Sequence, residues 1–331
     1  MMKRWLGQRF EVSAIGIGCM PMVAGGNITY GHASEDEGEA TIHEAIERGA
    51  TFLDTAQIYG PFTNEELVGR AINGKRQGLQ IATKFGFRFG DNGAIVGVDG
   101  SPANARASVE GSLQRLGIDC IDLFYQHRVD PNVPIEETVG GMAELVTEGK
   151  IRHIGLSEAG PETLRRAVAT HPIAALQSEY SLWERGVEDE ILEICRANDI
   201  GFVPYSPLGR GFLAGGIRSL ADLAPDDWRH QDPRYSAENM PHNLAIVDAV
   251  AAVAARHGVS NAQVALAWLL AQGPHIVPIP GVKRRETMRD SVAAYKVALT
   301  AQDLAELDAA APNGGTAGPR YGERGMRMVR L

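Results

Sequence analysis

The stretch GATFLDTAQIYG, residues 49–60, holds the signals that decide the predicted fold. Gly49 follows a helical pattern, as a helix-ending glycine should, and the apolar run TFLD then indicates a buried strand. The polar segment after this strand carries Asp54 and Tyr59, a carboxylate and a phenol. A helix, a glycine, a buried strand and a polar loop together make one repeat of an alternating α/β protein.

The same pattern recurs along the chain. Short apolar runs rich in β-branched residues predict eight strands, at 14–18, 51–54, 80–84, 121–127, 151–157, 174–180, 201–206 and 275–280. Amphipathic segments between them predict helices, including 35–48, 103–116, 136–148, 161–169 and 188–198. Alternation of this kind implies parallel strands joined by right-handed crossovers. Eight units match a (β/α)8 TIM barrel better than an open sheet, so we expect residues 1–331 to form a single (β/α)8 barrel domain.

Two additions to the barrel are expected. The start of the chain, KRWLGQRFEV (3–12), is typical of a small β-hairpin able to plug the bottom of the barrel. Insertions at 85–100 and at about 209–240 exceed ordinary loop lengths. Long loops inside compact domains are usually lids or binding loops, so these two are predicted to contact substrate or cofactor.

Composition excludes several classes of function. The formal net charge of −9 at pH 7 argues against a nucleic-acid partner, since nucleic-acid-binding domains are usually basic. Three cysteines far apart, without a CxxC pair, indicate neither a disulfide framework nor a metal site. The first residues lack the apolar core of a secretion signal, and the most apolar stretch, 244–271, is interrupted by charged residues. We therefore expect no membrane partner and a cytoplasmic location.

Four side chains lie at or just beyond the carboxyl ends of predicted strands, where barrels of this type build their active sites. Asp54 ends the second strand, Lys84 the third and His127 the fourth, and Tyr59 lies in the loop after the second. Each alone has an ordinary interpretation, as a turn carboxylate, a solvated strand end, a satisfied polar residue or a packed ring. Together they meet the needs of one reaction.

That reaction is the reduction of a carbonyl by hydride, which leaves an alkoxide in need of a proton. A phenol titrates near ~10, so Tyr59 is a weak acid unless a nearby ammonium lowers its pKa. Lys84 is the candidate ammonium, and Asp54 would hold it charged and in place. His127 would orient the carbonyl with a ring N–H and stabilise developing negative charge.

Seven stretches of the chain are typical of one family, namely LDTAQIYG, IATKFG, DLFYQHRVDP, GKIRHIGLSE, QSEYSLWER, GFVPYSPLGRGFLAG and VPIPGVKRRE. On these motifs the chain resembles the aldo-keto reductases, in the branch that includes bacterial and plant aldehyde reductases and potassium-channel β subunits. The resemblance implies a TIM barrel, NADPH as cofactor and a small-molecule aldehyde or ketone as substrate. It assigns the catalytic tetrad to Asp54, Tyr59, Lys84 and His127.

The resemblance also implies where the cofactor binds. Gly18 and Met20 would lie beside the nicotinamide ribose, Ser157 and Gln177 would hold the carboxamide, and Tyr205 would stack on the nicotinamide ring. The other implied cofactor contacts are Asp54, Ser206, Pro207, Leu208, Gly209, Gly211, Leu213, Gly281, Lys283, Thr287 and Asp290. Backbone N–H groups of the glycine-rich loop 206–213 would surround the pyrophosphate. The basic run VKRRE would supply cations to the 2′-phosphate, with Lys283 as the first choice.

Three positions depart from the family pattern. Asp290 and Ser291 stand where relatives often have Glu-Asn, and Glu158 stands where many have Asn. The contacts to adenine and to the carboxamide are therefore expected to differ from those of the relatives.

Substrate contacts are expected from the long loops and from the segment GPRYGERGMRMVRL (318–331), which we term the tail. The residues named for this role are Met22, Phe87, Arg88, His127, Arg128 and Trp228. Aromatic and cationic groups of this kind permit aromatic aldehydes, dicarbonyls, sugars or keto-steroid-like compounds. Two other functions stay open, a non-catalytic cofactor-sensing subunit and a barrel lyase or aldolase that uses Lys84 as a Schiff-base amine.

Overall fold

The computed structural model describes residues 1–23, 34–90 and 93–331. Helices and strands alternate along the chain. In order, these elements are β1 (Lys3–Leu6), β2 (Phe10–Ser13), β3 (Ile17–Gly18), α1 (Glu35–Glu47), β4 (Phe52–Asp54), α2 (Thr63–Ile72), β5 (Gln80–Phe85), β6 (Phe87–Phe89), β7 (Ile95–Val98), α3 (Pro102–Leu116), β8 (Ile121–Gln126), α4 (Ile135–Thr147), β9 (Ile151–Ser157), α5 (Pro161–Thr170), β10 (Ala175–Glu179), α6 (Ile191–Ala197), β11 (Gly201–Tyr205), α7 (Met240–His257), α8 (Asn261–Ala271), α9 (Arg285–Ala293), α10 (Ala301–Ala310) and α11 (Glu323–Met326).

The barrel wall is a parallel sheet with the order β11-β10-β9-β8-β5-β4-β3. Each strand therefore lies beside the strand that precedes it in the wall, as in a (β/α)8 barrel. Seven of the eight predicted strands, and all five predicted helices, overlap an observed element. Glycine ends the helices as predicted: Gly117 and Gly149, just beyond α3 and α4, have φ angles of 64° and 75°. This left-handed conformation has little steric cost for glycine.

The eighth predicted strand, 275–280, closes the barrel but is not a regular strand. On one side it pairs with β11, because Phe202 donates its N–H to His275 O at 2.8 Å. Phe202 O in turn accepts from the N–H of Val277 at 2.9 Å. Parallel pairing on this side therefore follows the expected pattern.

Two prolines weaken the pairing of the same segment with β3. The N–H groups of Gly16 and Gly18 donate to Pro278 O and Pro280 O, both at 3.0 Å. Pro278 and Pro280 have no N–H to donate in return, and the N–H that Gly18 O accepts comes from Val282, beyond the predicted strand, at 3.2 Å. The predicted barrel is confirmed, and the prediction of a regular eighth strand is wrong for this reason.

The predicted N-terminal hairpin is present as β1 and β2, and it covers the bottom of the barrel. Leu6 is fully buried against Gly201, the first residue of β11. Phe10 packs edge-on against Phe52 at the start of β4, with the ring centroids 6.2 Å apart. Both contacts lie at the amino ends of wall strands, so the opposite end of the barrel is left for a site.

The two long insertions lie at that opposite end. Residues 85–100 contain the antiparallel pair β6 and β7, and residues 209–240 contain short 3₁₀ turns. Across the ranges that the structure describes, no helix has both the length and the apolar character needed to cross a membrane. The apolar stretch 244–271 is divided between α7 and α8.

Adjacent glycines in α4 provide a test of helix packing. A Cβ on Gly141 would lie 2.6 Å from Pro102 Cβ at the start of α3, whereas one on Gly140 would meet nothing within 4 Å. We expect Gly141→Ala to lower the free energy of unfolding by about 1–3 kcal/mol through overpacking. Gly140→Ala should raise it by about 0.5–1 kcal/mol, because alanine favours the helix. Urea denaturation of both variants checks this, and effects of the same sign would contradict the packing described.

Candidate active site

A cavity of about 670 Å³ opens at the carboxyl end of the barrel. Its wall includes one residue from each of six wall strands or from the position just after the strand. Gly18, Asp54, His127, Ser157 and Tyr205 end or directly follow their strands, and Gln177 lies in the middle of β10. All six were predicted to take part in catalysis or cofactor binding. The strand ends converge because all strands of the wall run in the same direction.

Lys84 is the centre of a buried polar cluster beneath this cavity. Its side chain is fully buried, and Nζ donates to Asp54 Oδ1 at 2.5 Å, to Thr55 O at 2.9 Å and to Tyr59 OH at 3.1 Å. An ammonium has three donors, so all of them are used. Lys84 does not line the cavity itself but contacts it through Tyr59.

Asp54 joins this cluster to the other side of the barrel. Its second oxygen, Oδ2, accepts from Gln177 Nε2 at 2.8 Å, which links the end of β4 to β10. Burial raises the pKa of Asp54, while the charge and hydrogen bond of Lys84 and the hydrogen bond of Gln177 act in the opposite direction. For Lys84, burial lowers the pKa, but Asp54 and Tyr59 outweigh it, so the pKa of the ammonium is raised.

The pKa of Tyr59 is raised, whereas the sequence predicted that Lys84 would lower it. Burial raises the pKa of the phenol above 10.0, and the charge and hydrogen bond of Lys84 only partly oppose this effect. The sequence identified the lowering influence of Lys84 but not the larger effect of removing the phenol from water. The phenol therefore remains protonated at neutral pH, which is the form that can donate a proton.

His127 lies beside Tyr59, with the two ring centroids 6.0 Å apart and the rings edge-on. Its pKa is held well below 6.5, first by burial and then by the charges of Arg128 and Lys84. Within the described part of the chain, His127 Nδ1 is buried and has no hydrogen-bond partner. A neutral imidazole carries one N–H donor, which is suited to a carbonyl oxygen.

The predicted cofactor contacts largely come together. Those that line the cavity are Gly18, Met20, Asp54, Ser157, Gln177, Tyr205, Ser206, Pro207, Leu208, Gly211, Gly281, Lys283, Thr287 and Asp290. Gly209 and Leu213 lie outside its wall, and Leu213 is fully buried in the core. Asp290 has both carboxylate oxygens engaged, by Ser260 Oγ at 2.7 Å and Gln263 Nε2 at 2.8 Å.

The glycine-rich loop uses some of its backbone N–H groups to hold its own shape. The N–H of Gly209 donates to Ser206 O at 2.9 Å, and those of Gly211 and Leu213 donate to Leu208 O at 3.0 and 3.1 Å. Gly209 and Gly211 have φ angles of 56° and 96°, which glycine adopts readily. N–H groups of this loop were predicted to bind a pyrophosphate, whereas these three form hydrogen bonds inside the loop.

Three cations lie near one another in the cavity wall. Lys283, Arg284 and Arg229 all line it, and burial followed by the charges of Arg284 and Arg229 lowers the pKa of Lys283. Repulsion among these cations would be relieved by a bound anion. Arg285, from the same basic run, lies outside the cavity and pairs with Glu37 at 3.1 Å. The donor set therefore fits a phosphate-bearing cofactor.

The predicted substrate residues separate into two groups. Those that line the cavity are Phe87, His127, Arg128 and Trp228. Met22 is fully buried in the hydrophobic core instead. Arg88 is exposed and does not line the cavity, because it follows Phe87 on β6 and successive side chains of a strand point to opposite faces.

Arg210 and Tyr321 are among the residues of the cavity wall that were not predicted from the sequence. Tyr321 belongs to the tail, and its hydroxyl lies 2.8 Å from the hydroxyl of Tyr205. The Arg210 guanidinium lies 4.7 Å from the centre of the Tyr321 ring. The tail as a whole was expected to contact substrate, but within it Tyr321 was marked only as an aromatic residue beside an arginine.

Comparisons with known proteins define the class. The model of the Aldo/keto reductase family matches residues 14–312. A protein from Glycine max named "Probable aldo-keto reductase 1" is 46% identical over 318 residues, which cover 95% of this chain and 90% of that protein. The chain therefore belongs to the aldo/keto reductase family, and the expected membership is confirmed. The cofactor implied by the resemblance, NADP(H), is that of the family.

Solved structures agree with this assignment. The glycerol dehydrogenase from Gluconobacter oxydans matches with a TM-score of 0.83 and 30% identity, over 93% of this chain and 94% of that chain. An aldo/keto reductase from Klebsiella pneumoniae, solved in complex with NADP and acetate, matches with a TM-score of 0.74 and 27% identity, over 97% and 99% of the two chains.

The cation cluster predicts the choice between the two nicotinamide cofactors. NADPH carries a 2′-phosphate that NADH lacks, and a charge-assisted hydrogen bond to it contributes about 1.5–3 kcal/mol. We expect a preference for NADPH of roughly 10²-fold in kcat/KM, and a fall of at least about tenfold in that preference for Lys283→Ala. Arg285→Ala is the matched control, since Arg285 pairs with Glu37 outside the cavity. A preference that survives the loss of Lys283 would assign the phosphate to another residue.

Proposed function

We propose that the protein reduces the carbonyl of a small aldehyde or ketone to an alcohol with NADPH, and that Tyr59 is the general acid. The observation that carries the proposal is the cluster in which Lys84 Nζ lies 3.1 Å from Tyr59 OH and 2.5 Å from Asp54 Oδ1. It lies at the carboxyl end of a barrel, beside a cavity whose wall also carries the cations Arg229, Lys283 and Arg284. NADPH, when bound, supplies the hydride.

The chain's own residues handle the proton. As negative charge develops on the carbonyl oxygen, the Tyr59 hydroxyl donates its proton to it. The resulting phenolate is stabilised by the Lys84 ammonium, which Asp54 keeps charged. His127, held neutral by its surroundings, offers an N–H to the same oxygen and so fixes its position.

The substrate end of the cavity supports a carbonyl compound with an aromatic or apolar body. Phe87 and Trp228 provide aromatic walls, and Arg128 lies between the acid and the carboxamide position. Arg128 Nη1 donates to His127 O at 2.7 Å and to Ser157 Oγ at 3.3 Å. A panel of aromatic aldehydes, dicarbonyls, sugars and keto-steroids, followed by NADPH absorbance, would rank these classes.

The geometry argues against the Schiff-base alternative. Imine formation needs a neutral and accessible amine, whereas Lys84 is fully buried and its pKa is raised. A non-catalytic cofactor-binding subunit would use the same cavity but would not need the Lys84–Tyr59 contact. Carbonyl-dependent oxidation of NADPH by the wild-type protein separates the two.

Tyr59→Phe tests the identity of the acid. The ring remains but the proton does not, so we expect kcat to fall by about 10²–10⁴-fold while the dissociation constant for NADPH stays unchanged. Tyr295→Phe is the matched control, because Tyr295 lies outside the cavity. Substantial turnover by Tyr59→Phe would remove Tyr59 from this role.

The buried ion pair between Lys84 and Asp54 predicts that a double variant can regain stability without regaining activity. Lys84→Met leaves the Asp54 carboxylate buried without its ammonium, and we expect it to lower the free energy of unfolding by about 3–5 kcal/mol. The double variant Lys84→Met/Asp54→Asn should recover much of that loss, because the uncompensated charge is gone. It should remain inactive, because the phenolate has no ammonium beside it. Urea denaturation and turnover measure the two effects, and recovery of turnover in the double variant would contradict the role of Lys84.

A further inference from the structure

A second buried cluster of charges lies beside the cavity and takes no part in the proton transfer described above. Its centre is Arg320 in the tail, with 3% of its surface exposed. Arg320 Nη2 donates to Glu158 Oε1 at 2.6 Å, and Nε donates to Glu179 Oε2 at 3.1 Å. Glu158 follows β9 and Glu179 ends β10, so the tail is fixed to two neighbouring strands of the barrel wall.

The same guanidinium also reaches the wall of the cavity. Arg320 Nη2 donates to Tyr205 OH at 2.9 Å, and the hydroxyl of Tyr321 lies 2.8 Å from the same oxygen. Tyr205 ends β11 and lines the cavity. Two consecutive residues of the tail therefore hold the phenol group of one cavity residue.

The cluster extends to the glycine-rich loop through Arg210. Arg210 Nη1 donates to the backbone oxygen of Arg320 at 2.9 Å, and Nη2 donates to Glu179 Oε2 at 3.3 Å. Arg210 also pairs with Asp232, in the long insertion. One set of contacts therefore connects the tail, the strand ends and the loop.

Burying these charges is costly, which indicates a role in positioning. Replacing buried ion pairs by apolar residues is often neutral or stabilising, so their presence does not by itself explain stability. Glu158 also has a φ angle of 56°, which is unfavourable for a residue other than glycine. Burial acts to raise the pKa of Glu158, but Arg320 and Arg128 outweigh it and hold the pKa at about 2, so the carboxylate stays charged.

We propose that Arg320 is a positioning residue for the cofactor, acting through Tyr205. Its hydrogen bond to the hydroxyl restricts rotation of the Tyr205 ring, so that the nicotinamide meets a stacking surface already in place. The inference rests on the proposed function, in which Tyr205 stacks on the nicotinamide. Restricting a side chain before binding improves affinity because less conformational entropy is lost on binding.

The place of the Arg320–Tyr205 hydrogen bond predicts how its loss affects the binding of NADPH and of NADH. Tyr205 is expected at the nicotinamide, which NADPH and NADH share, whereas Lys283 is expected at the 2′-phosphate. Loss of this hydrogen bond should therefore raise the dissociation constants for NADPH and NADH by a similar factor and leave the ratio of the two constants unchanged. This result distinguishes Arg320 from the phosphate-binding cations.

The experiment is a double-mutant cycle on the dissociation constant for NADPH, measured by titration calorimetry without substrate. Arg320→Lys keeps the charge but loses the planar fork of donors. We expect it to raise the dissociation constant by about 3- to 10-fold when Tyr205 is present. In the Tyr205→Phe background, where the hydroxyl is missing, the same change should raise it by less than about 2-fold.

Two further variants keep the test decisive. Arg330→Lys is the matched control, since Arg330 lies in the same tail and pairs with Glu184 at 2.9 Å. It should leave the dissociation constant unchanged. Tyr321→Phe keeps every charge and removes only the second hydrogen bond to Tyr205, so it should weaken NADPH binding by about 2- to 5-fold, again only when the Tyr205 hydroxyl is present. Thermal unfolding of each variant checks the fold.

Equal effects of Arg320→Lys in the Tyr205 and Phe backgrounds would overturn the inference, because Arg320 would then act independently of the hydroxyl. An equal effect of Arg330→Lys would overturn it as well, because any loosening of the tail would suffice. A failure of the proposed function would be detected independently of these two binding results. It would appear as the absence of carbonyl-dependent NADPH oxidation by the wild-type protein, a measurement that the binding cycle does not use.

Discussion

The contact between Lys84 and Asp54, 2.5 Å long and removed from solvent, is the constraint on which the site depends. A buried ammonium is costly unless all its donors are used and a negative charge lies nearby. The barrel meets this need with groups at neighbouring positions: the carboxylate at the end of β4, the backbone oxygen of Thr55 and the hydroxyl of Tyr59. The arrangement that satisfies the lysine is therefore the same one that places a phenol at the cavity wall.

The two buried clusters share one arrangement, a buried cation that contacts both a carboxylate and a tyrosine hydroxyl. The Lys84 cluster lies beneath Tyr59, and the Arg320 cluster lies behind Tyr205. In each, a cation paired with one carboxylate (Lys84) or two (Arg320) also donates to a tyrosine hydroxyl that borders the cavity. The carboxylates lie at or just after the ends of wall strands. We infer that charge is used here to hold two aromatic rings at defined positions.

Much of the fold was predictable because local patterns determine it. Apolar runs and helix-ending glycines gave the strand order, and strand ends brought together Asp54, Tyr59, Lys84 and His127. The irregular eighth strand depends on Pro278 and Pro280, whose missing N–H groups matter only once a neighbour needs them. The placement of Arg88 away from the cavity follows from the alternation of β6, which was not recognised as a strand in the sequence. The contact of the tail with Tyr205 has no local signal, because it joins residues more than a hundred positions apart.

The raised pKa of Tyr59 shows why the strength of an acid cannot be predicted from neighbouring residue types alone. The sequence indicated a nearby ammonium, and the structure provides one at 3.1 Å, yet burial has the larger effect on the phenol before reaction. For a proton donor this is not a disadvantage, because the donor must be protonated when the substrate binds. What matters for the rate is the stability of the phenolate relative to the alkoxide as the proton moves. The ammonium acts at that stage from a fully buried position, where its field is screened less than in water, so burial also strengthens the stabilisation that Lys84 provides.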